Sequence, residues 1–145
     1  MPLEMSLAVH SDAGYAPDFR SIFGSLAICT TQFHDGLLAD GSSRQTSKTL
    51  AQNLISGLDN DMKRLFGKWN KRDLYDRNYS ETRLPEVPSA IIETLSHQSF
   101  PDMIMGQDPN VKFAIARSLY KTILKFTAER HRNDYIVQPL APKNA

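Results

Sequence analysis

The sequence predicts an α/β domain with a mostly parallel sheet and two long helices. Two observations carry this expectation. Short apolar, β-branched stretches are separated by much longer segments with apolar residues three and four apart, and glycine, proline and aspartate mark the joints between them. Strands separated by long helices suit crossover connections rather than hairpins, and crossovers give parallel neighbours in a layered architecture. With 145 residues and 41% apolar content, the chain suits one core.

The first strand is expected over Leu3–Val9, where apolar residues alternate and then run continuously. A polar segment with Gly14 and Pro17 follows, then a second strand over Ser25–Phe33, rich in apolar and β-branched residues. His34 to Ser43 has turn composition. Leu50, Leu54, Leu58, Met62 and Leu65 then define a helix over Ser43–Phe66, with Ser42 or Ser43 as its cap and Gly67 as its stop. Lys68 to Arg83 reads as a charged connector without a regular element, in which Trp69, Leu74, Tyr75 and Tyr79 pack down on the core. A third strand spans Val87–Leu95, entered through Pro88. Asp108-Pro109 starts the last helix, with Asp108 as cap and Pro109 at the first position. Its expected core face is Phe113, Ala116, Leu119, Tyr120, Ile123, Leu124 and Thr127, ending near Arg130. Residues 1–132 form the domain. Residues 133–145, aperiodic and proline-containing, read as a linker toward a further domain.

The formal net charge of +1 argues against nucleic acid, whose partners usually carry a basic excess on one face. A single cysteine, Cys29, can form no internal disulfide and is expected to be buried as a small apolar group. No stretch approaches the roughly 18 apolar residues of a membrane span. There is no signal-like stretch at the N-terminus. The chain also opens directly on a buried-type strand, which suggests that an N-terminal portion of the domain is missing.

Two residues stand out chemically. His10 ends the first strand and opens into Ser11-Asp12-Ala13-Gly14, where α/β proteins place ligands and metals. A lone histidine there is nevertheless more often a hydrogen-bonded structural residue than a ligand. Glu93 ends a run of Ile and Ala, where a carboxylate needs a partner, a metal or a cleft; a structural arginine pair is an equally open reading. His97 and His34 are thinner candidates without metal-ligand spacing. Zincin, zinc-finger, serine-hydrolase and P-loop signatures are absent from the sequence.

Met5-Ser6-Leu7-Ala8-Val9-His10-Ser11-Asp12-Ala13 and Val87-Pro88-Ser89-Ala90-Ile91-Ile92-Glu93-Thr94-Leu95-Ser96-His97-Gln98 together resemble two strands of the zinc-dependent N-acetylmuramoyl-L-alanine amidases. The first is similar to that family's Ser-Ile-His-Ala-Asn-Ala, the second to its Pro-Ala-Val-Leu-Val-Glu-x-Gly-Phe-Leu-Ser-Asn. The resemblance covers about residues 3 to 131. The wording from Glu93 to Gln98 and the Asp108-Pro109-Asn110 helix start look closest to a Bacteroidetes subgroup often labelled xanthan lyase.

The resemblance implies a partial amidase-type three-layer domain, with His10 as a zinc ligand and Glu93 as catalytic acid-base. The substrate it implies is peptidoglycan or a muropeptide, with the parent protein in the periplasm, cell envelope or outside the cell. It also implies two further zinc ligands, in a Gly-His-Gly-Gly motif and a later glutamate, both before the histidine strand. Neither motif is in this sequence, so the chain is expected to be inactive alone, to bind zinc weakly or not at all, and to self-associate through a truncated sheet edge. Two other readings stay open: a non-catalytic wall-binding or scaffold module of the same fold, and a polysaccharide lyase built on Tyr75, Tyr79 and Arg83.

Overall fold

The structure, a computed structural model, describes residues 3–13 and 23–132. The expected loop around Gly14 and Pro17 and the expected linker over 133–145 lie outside the described residues. Four strands and four helices follow one another as β1 (Ser6–Asp12), β2 (Ser25–Cys29), α1 (Gln45–Phe66), β3 (Lys71–Asp76), α2 (Ser80–Arg83), β4 (Ser89–Ser96), α3 (Phe100–Gln107) and α4 (Pro109–Arg130), with a 3-10 turn at Phe33–Gly36. This is the expected α/β class with two long helices.

The sheet order is β1-β4-β2-β3. β1 runs parallel to β4 and β2 parallel to β3, while β2 and β4 are antiparallel, so the sheet is two parallel pairs joined back to back. One face packs on α1 and α4. There Ala27, Cys29, Ala90, Ile92 and Leu95 of the sheet meet Leu50, Leu54, Leu58 and Met62 of α1 and Val111, Ile115, Leu119 and Phe126 of α4. Full burial of each large side chain contributes about 1.5–3 kcal/mol, which makes α1, with Leu50, Leu54, Leu58 and Met62 fully buried and only Leu65 of the expected stripe half exposed, the main anchor. The opposite face carries a smaller cluster of Leu26, Ile28 and Ile91 with Ala8 and Tyr75 against it, and α2 packs over β4 and β2 on that side.

Local chemistry sets the boundaries. Gly67 takes φ 75 and its N–H bonds Lys63 O, so α1 stops where the left-handed residue stands. At its start the Ser43 hydroxyl accepts from Gln45 N although Arg44 is the boundary residue. Asp108 caps α4 by accepting from Asn110 N, with Pro109 first in the helix, as expected. Cys29 is fully buried, and burial, aided by the nearby Asp76 charge, pushes its thiol up to about 11.

Several expectations need correction. β1 is shifted toward Asp12 and β4 toward Ser96. β2 stops at Cys29 because Thr30 and Thr31 turn to side-chain bonding: Thr30 Oγ1 donates to Arg77 O, and Thr31 N donates to Asp76 Oδ1. The connector from Lys68 to Arg83 holds both β3 and α2. Lys71-Arg72-Asp73 lacks apolar alternation because β3 is an edge strand, where charge is tolerated and blocks further pairing. α3 is a further helix between β4 and α4, outside the expected elements, and Ser99 caps it by accepting from Asp102 N.

The buried face of α4 is rotated from the expected one. Val111, Ala114, Ile115, Ser118, Leu119, Thr122 and Phe126 point inward, while Phe113, Tyr120 and Leu124 are 68%, 59% and 51% exposed. Ser118 and Thr122, which look like surface residues, lie where α4 crosses α1; a Cβ on Gly57 of α1 would stand 2.9 Å from Thr122 Oγ1. The exposed side of α4 borders a groove of about 680 Å3 shared with α3 and the edge of β1, into which Val9, Met103 and Tyr120 look.

Candidate active site

The β1–β4 ladder brings the two residues of interest together. His10 and Glu93 are Cα partners in register on adjacent parallel strands, and Leu26 is Glu93's partner on the other side. Side chains opposite one another in a ladder share a face, so His10 and Glu93 stand side by side, on the face of Leu26, Ile28 and Ile91. After His10 the register shifts, Asp12 pairing with Ser96. The irregularity is held by Thr94 Oγ1 donating to His10 O, and by His97 N and Ser96 Oγ donating to Asp12 O.

Glu93 is half-buried, and its Oε2 is shut off from solvent without a hydrogen-bond partner among the described residues. Burial raises its proton affinity, the Asp12 carboxyl raises it further, and His10 and Arg72 oppose this; the outcome is about 7, up from 4.5. Asp12 is itself ion-paired with Arg72, which reaches over from the far edge strand β3. His10 Nε2 lies 3.1 Å from Glu81 Oε1 of α2. The site is thus a row of ionisable side chains on β1, β4, β3 and α2.

Arg72 and Glu81 could not be found from sequence, because both fall in the charged connector and reach the site only through sheet order and the placement of α2. The other histidines go elsewhere. His97 Nδ1 pairs with Ser11 Oγ at 3.0 Å, and the pair borders the apolar groove. His34 sits on the turn after β2, beyond the strand end opposite to Leu26 and Glu93. Of the residues considered for a lyase, Tyr75 is packed against the small cluster under the Arg77 guanidinium, and Arg83 lies over the Phe33 ring.

Zinc takes histidine nitrogen and carboxylate oxygen, and His10 offers the first type. Among the described residues, however, no three histidine, cysteine, aspartate or glutamate side chains are grouped so as to hold a metal ion. His10, with its nitrogen at Glu81, is at most part of such a site. The described residues by themselves do not fit a complete one.

No family model matches the sequence, and neither does any curated protein. Solved structures do resemble the fold. An N-acetylmuramoyl-L-alanine amidase from Clostridium difficile 630 superposes with a TM-score of 0.70 at 16% identity, over 88% of this chain and 59% of its own. The amidase Ami1 from Mycobacterium smegmatis gives 0.67 at 17%, over 87% and 55%. The CwlD amidase from Clostridioides difficile, solved in complex with the GerS lipoprotein, gives 0.64 at 19%, over 87% and 55%. This chain therefore carries the fold of the N-acetylmuramoyl-L-alanine amidases and spans between half and three-fifths of the length of those solved structures.

Proposed function

We propose that this chain is the C-terminal part of a peptidoglycan hydrolase domain that cleaves the amide bond between N-acetylmuramic acid and L-alanine, with Glu93 as acid-base and His10 as one zinc ligand. The observation that carries the reading is the register pairing of His10 with Glu93, whose Oε2, inside β4, is buried and has no hydrogen-bond partner among the described residues. A carboxyl with a proton affinity near neutrality can both take a proton from water and return it to a leaving amine. Asp12, held by Arg72, sits beside it and keeps that affinity high. Zinc, when bound in the whole domain, would polarise the amide carbonyl and lower the pKa of its bound water. The remaining ligands belong to polypeptide outside this chain, which by itself is catalytically silent in this reading. Its place of action is the cell envelope.

The same reading gives the open edge of β1 a meaning. Val9 is 55% exposed on that edge, beside the groove bordered by α3 and α4. Among the described residues no strand pairs with the outer side of β1, and such an edge favours self-association of the chain alone.

A non-catalytic wall-binding module of the same fold is the second reading. The contact between His10 and Glu81, and the lack of a three-ligand group among the described residues, favour it. The deciding experiment measures zinc content and release of peptide bearing N-terminal L-alanine from peptidoglycan, using a longer protein that includes the upstream part of the domain. Zinc bound with peptide released supports the enzyme; a folded, zinc-loaded longer protein that releases none sinks it.

A further inference from the structure

A second concavity lies between the Phe33–Gly36 turn, the start of α1 and the end of α2, with a volume of about 310 Å3. Phe33, His34, Leu38, Arg44, Arg83 and Leu84 line it. Arg44 is 2% exposed, yet no carboxylate among the described residues lies within ion-pair distance of it. Its donors go to neutral carbonyls instead: Nε to Leu37 O at 2.9 Å, and the two terminal nitrogens to Thr82 O at 3.5 Å and Arg83 O at 3.2 Å. Burial lowers its proton affinity, with the Glu86 charge opposing.

Arg83 adds a second cation that has no carboxylate partner among the described residues. Its Nε is closed off from solvent and unpaired, and one terminal nitrogen makes a 3.4 Å contact with Asn78 Oδ1. Both guanidinium groups lie over the same Phe33 ring, at 5.2 and 5.6 Å from its centre. Two like charges brought to one ring repel, and a buried charge without a counter-ion is costly, so the arrangement calls for an anion. The rim is strained as well: His34 and Asp35 are consecutive non-glycine residues at positive φ, a conformation that clusters at ligand clamps.

We propose that this concavity binds the carboxylate of a small peptide or N-acyl amino acid. The guanidinium fork matches a planar carboxylate, and the leucine walls suit a ligand whose carboxylate is attached to an apolar body. Glu86 is the one acidic side chain of the lining, and it opposes an incoming anion. α2 separates this pocket from the active site: Glu81 reaches His10, and Arg83, two residues on, reaches the pocket. The inference needs no hydrolysis and stands apart from the amidase reading.

Arg44 also ties three segments together, so the test uses Arg83 and Glu86. N-acetyl-L-leucine, its neutral amide and inorganic phosphate are titrated into the full chain, following the Leu37 and Leu84 amides and the arginine Nε–H signals by NMR. The acid should saturate, with the amide about tenfold weaker or worse. Arg83→Gln should weaken the acid about tenfold with an unchanged melting temperature, and Glu86→Gln should tighten it. The proposal is overturned if acid and amide bind alike or not at all, if phosphate binds more tightly than the acid, if Arg83→Gln leaves affinity unchanged, or if Glu86→Gln weakens it.

Discussion

His10 and Glu93 are register partners across the parallel β1–β4 ladder, roughly 4.8 Å apart in backbone, and point to the same face of the sheet. That relationship separates their expected roles in the longer protein. Glu93→Gln removes a proton carrier but no metal donor, so zinc content should persist while turnover falls by about two or more orders of magnitude. His10→Ala should lose the metal itself. Elemental analysis alongside peptide release checks both, and normal turnover in Glu93→Gln would show that another residue carries the proton.

Glu81 offers a test of what His10 is for. The pair is largely exposed, 39% and 49% at the side chains, so Glu81→Gln should change stability by less than about 0.5 kcal/mol. If His10 binds zinc in the longer protein, its nitrogen must be released from Glu81, and Glu81→Gln should alter zinc affinity measurably. An unchanged affinity together with an intact fold would make the contact irrelevant to metal and weaken the ligand role of His10.

The placement of His10 and Glu93 was legible in part because a strand writes its pattern locally. The apolar runs leading to His10 and to Glu93 could be read residue by residue, and both residues fall on strands, although His10 lies within β1, which runs on to Asp12, and not at its end. Arg72 and Glu81 could not, because their role depends on which strand lies at which edge and on a helix of four residues. α4 failed for a different reason. Two overlapping stripes both satisfy helical spacing, and the large residues Phe113, Tyr120 and Leu124 favoured the wrong one; the crossing with α1 demands small groups, Ser118 and Thr122, at the inner face.

The open β1 edge gives a prediction in solution. Self-association through that edge should depend on Val9, and a charge there blocks edge pairing at little cost to the fold because the side chain is already exposed. Val9→Lys should shift sedimentation toward monomer with an unchanged melting temperature. A wild-type chain that is monomeric at high concentration would remove the edge as an association surface.

Gly24, just before β2, leaves the least room for a side chain of the glycines whose surroundings are described. It has φ 94, and a Cβ there would stand 2.3 Å from Asn70 O. Its N–H also donates to Asp102 Oδ2 at 2.7 Å, the atom that accepts from Ser96 N at 2.9 Å, so one buried carboxylate ties the entrance of β2 to the end of β4. Gly24→Ala should therefore destabilise by about 1–3 kcal/mol, through a disfavoured backbone angle plus a clash with main chain that cannot rotate away. Chemical denaturation measures it, and a loss under about 0.5 kcal/mol would mean the loop yields freely.

Asp61 gives the pH dependence. Its carboxyl accepts Lys121 Nζ at 2.8 and 2.9 Å, bridging α1 to α4, with Arg64 at 3.4 Å. Burial acts to raise its pKa, but the Lys121 hydrogen bond and charge lead the contributions that outweigh it, so the folded value lies below the ordinary 3.8. A depressed carboxylate contributes stability that is fully present above the unfolded value and disappears as pH falls through the folded one. Asp61→Asn should accordingly lower stability by about 0.5 kcal/mol at pH 6 to 8, a modest figure because Lys121 is more than half exposed. The gap to wild type should narrow below about pH 4 as the unfolded carboxyl takes up its proton and the folded one follows. Urea midpoints across that range test the sign, and a gap that widens on acidification would contradict the assignment of the Lys121 bridge as the stabilising contact.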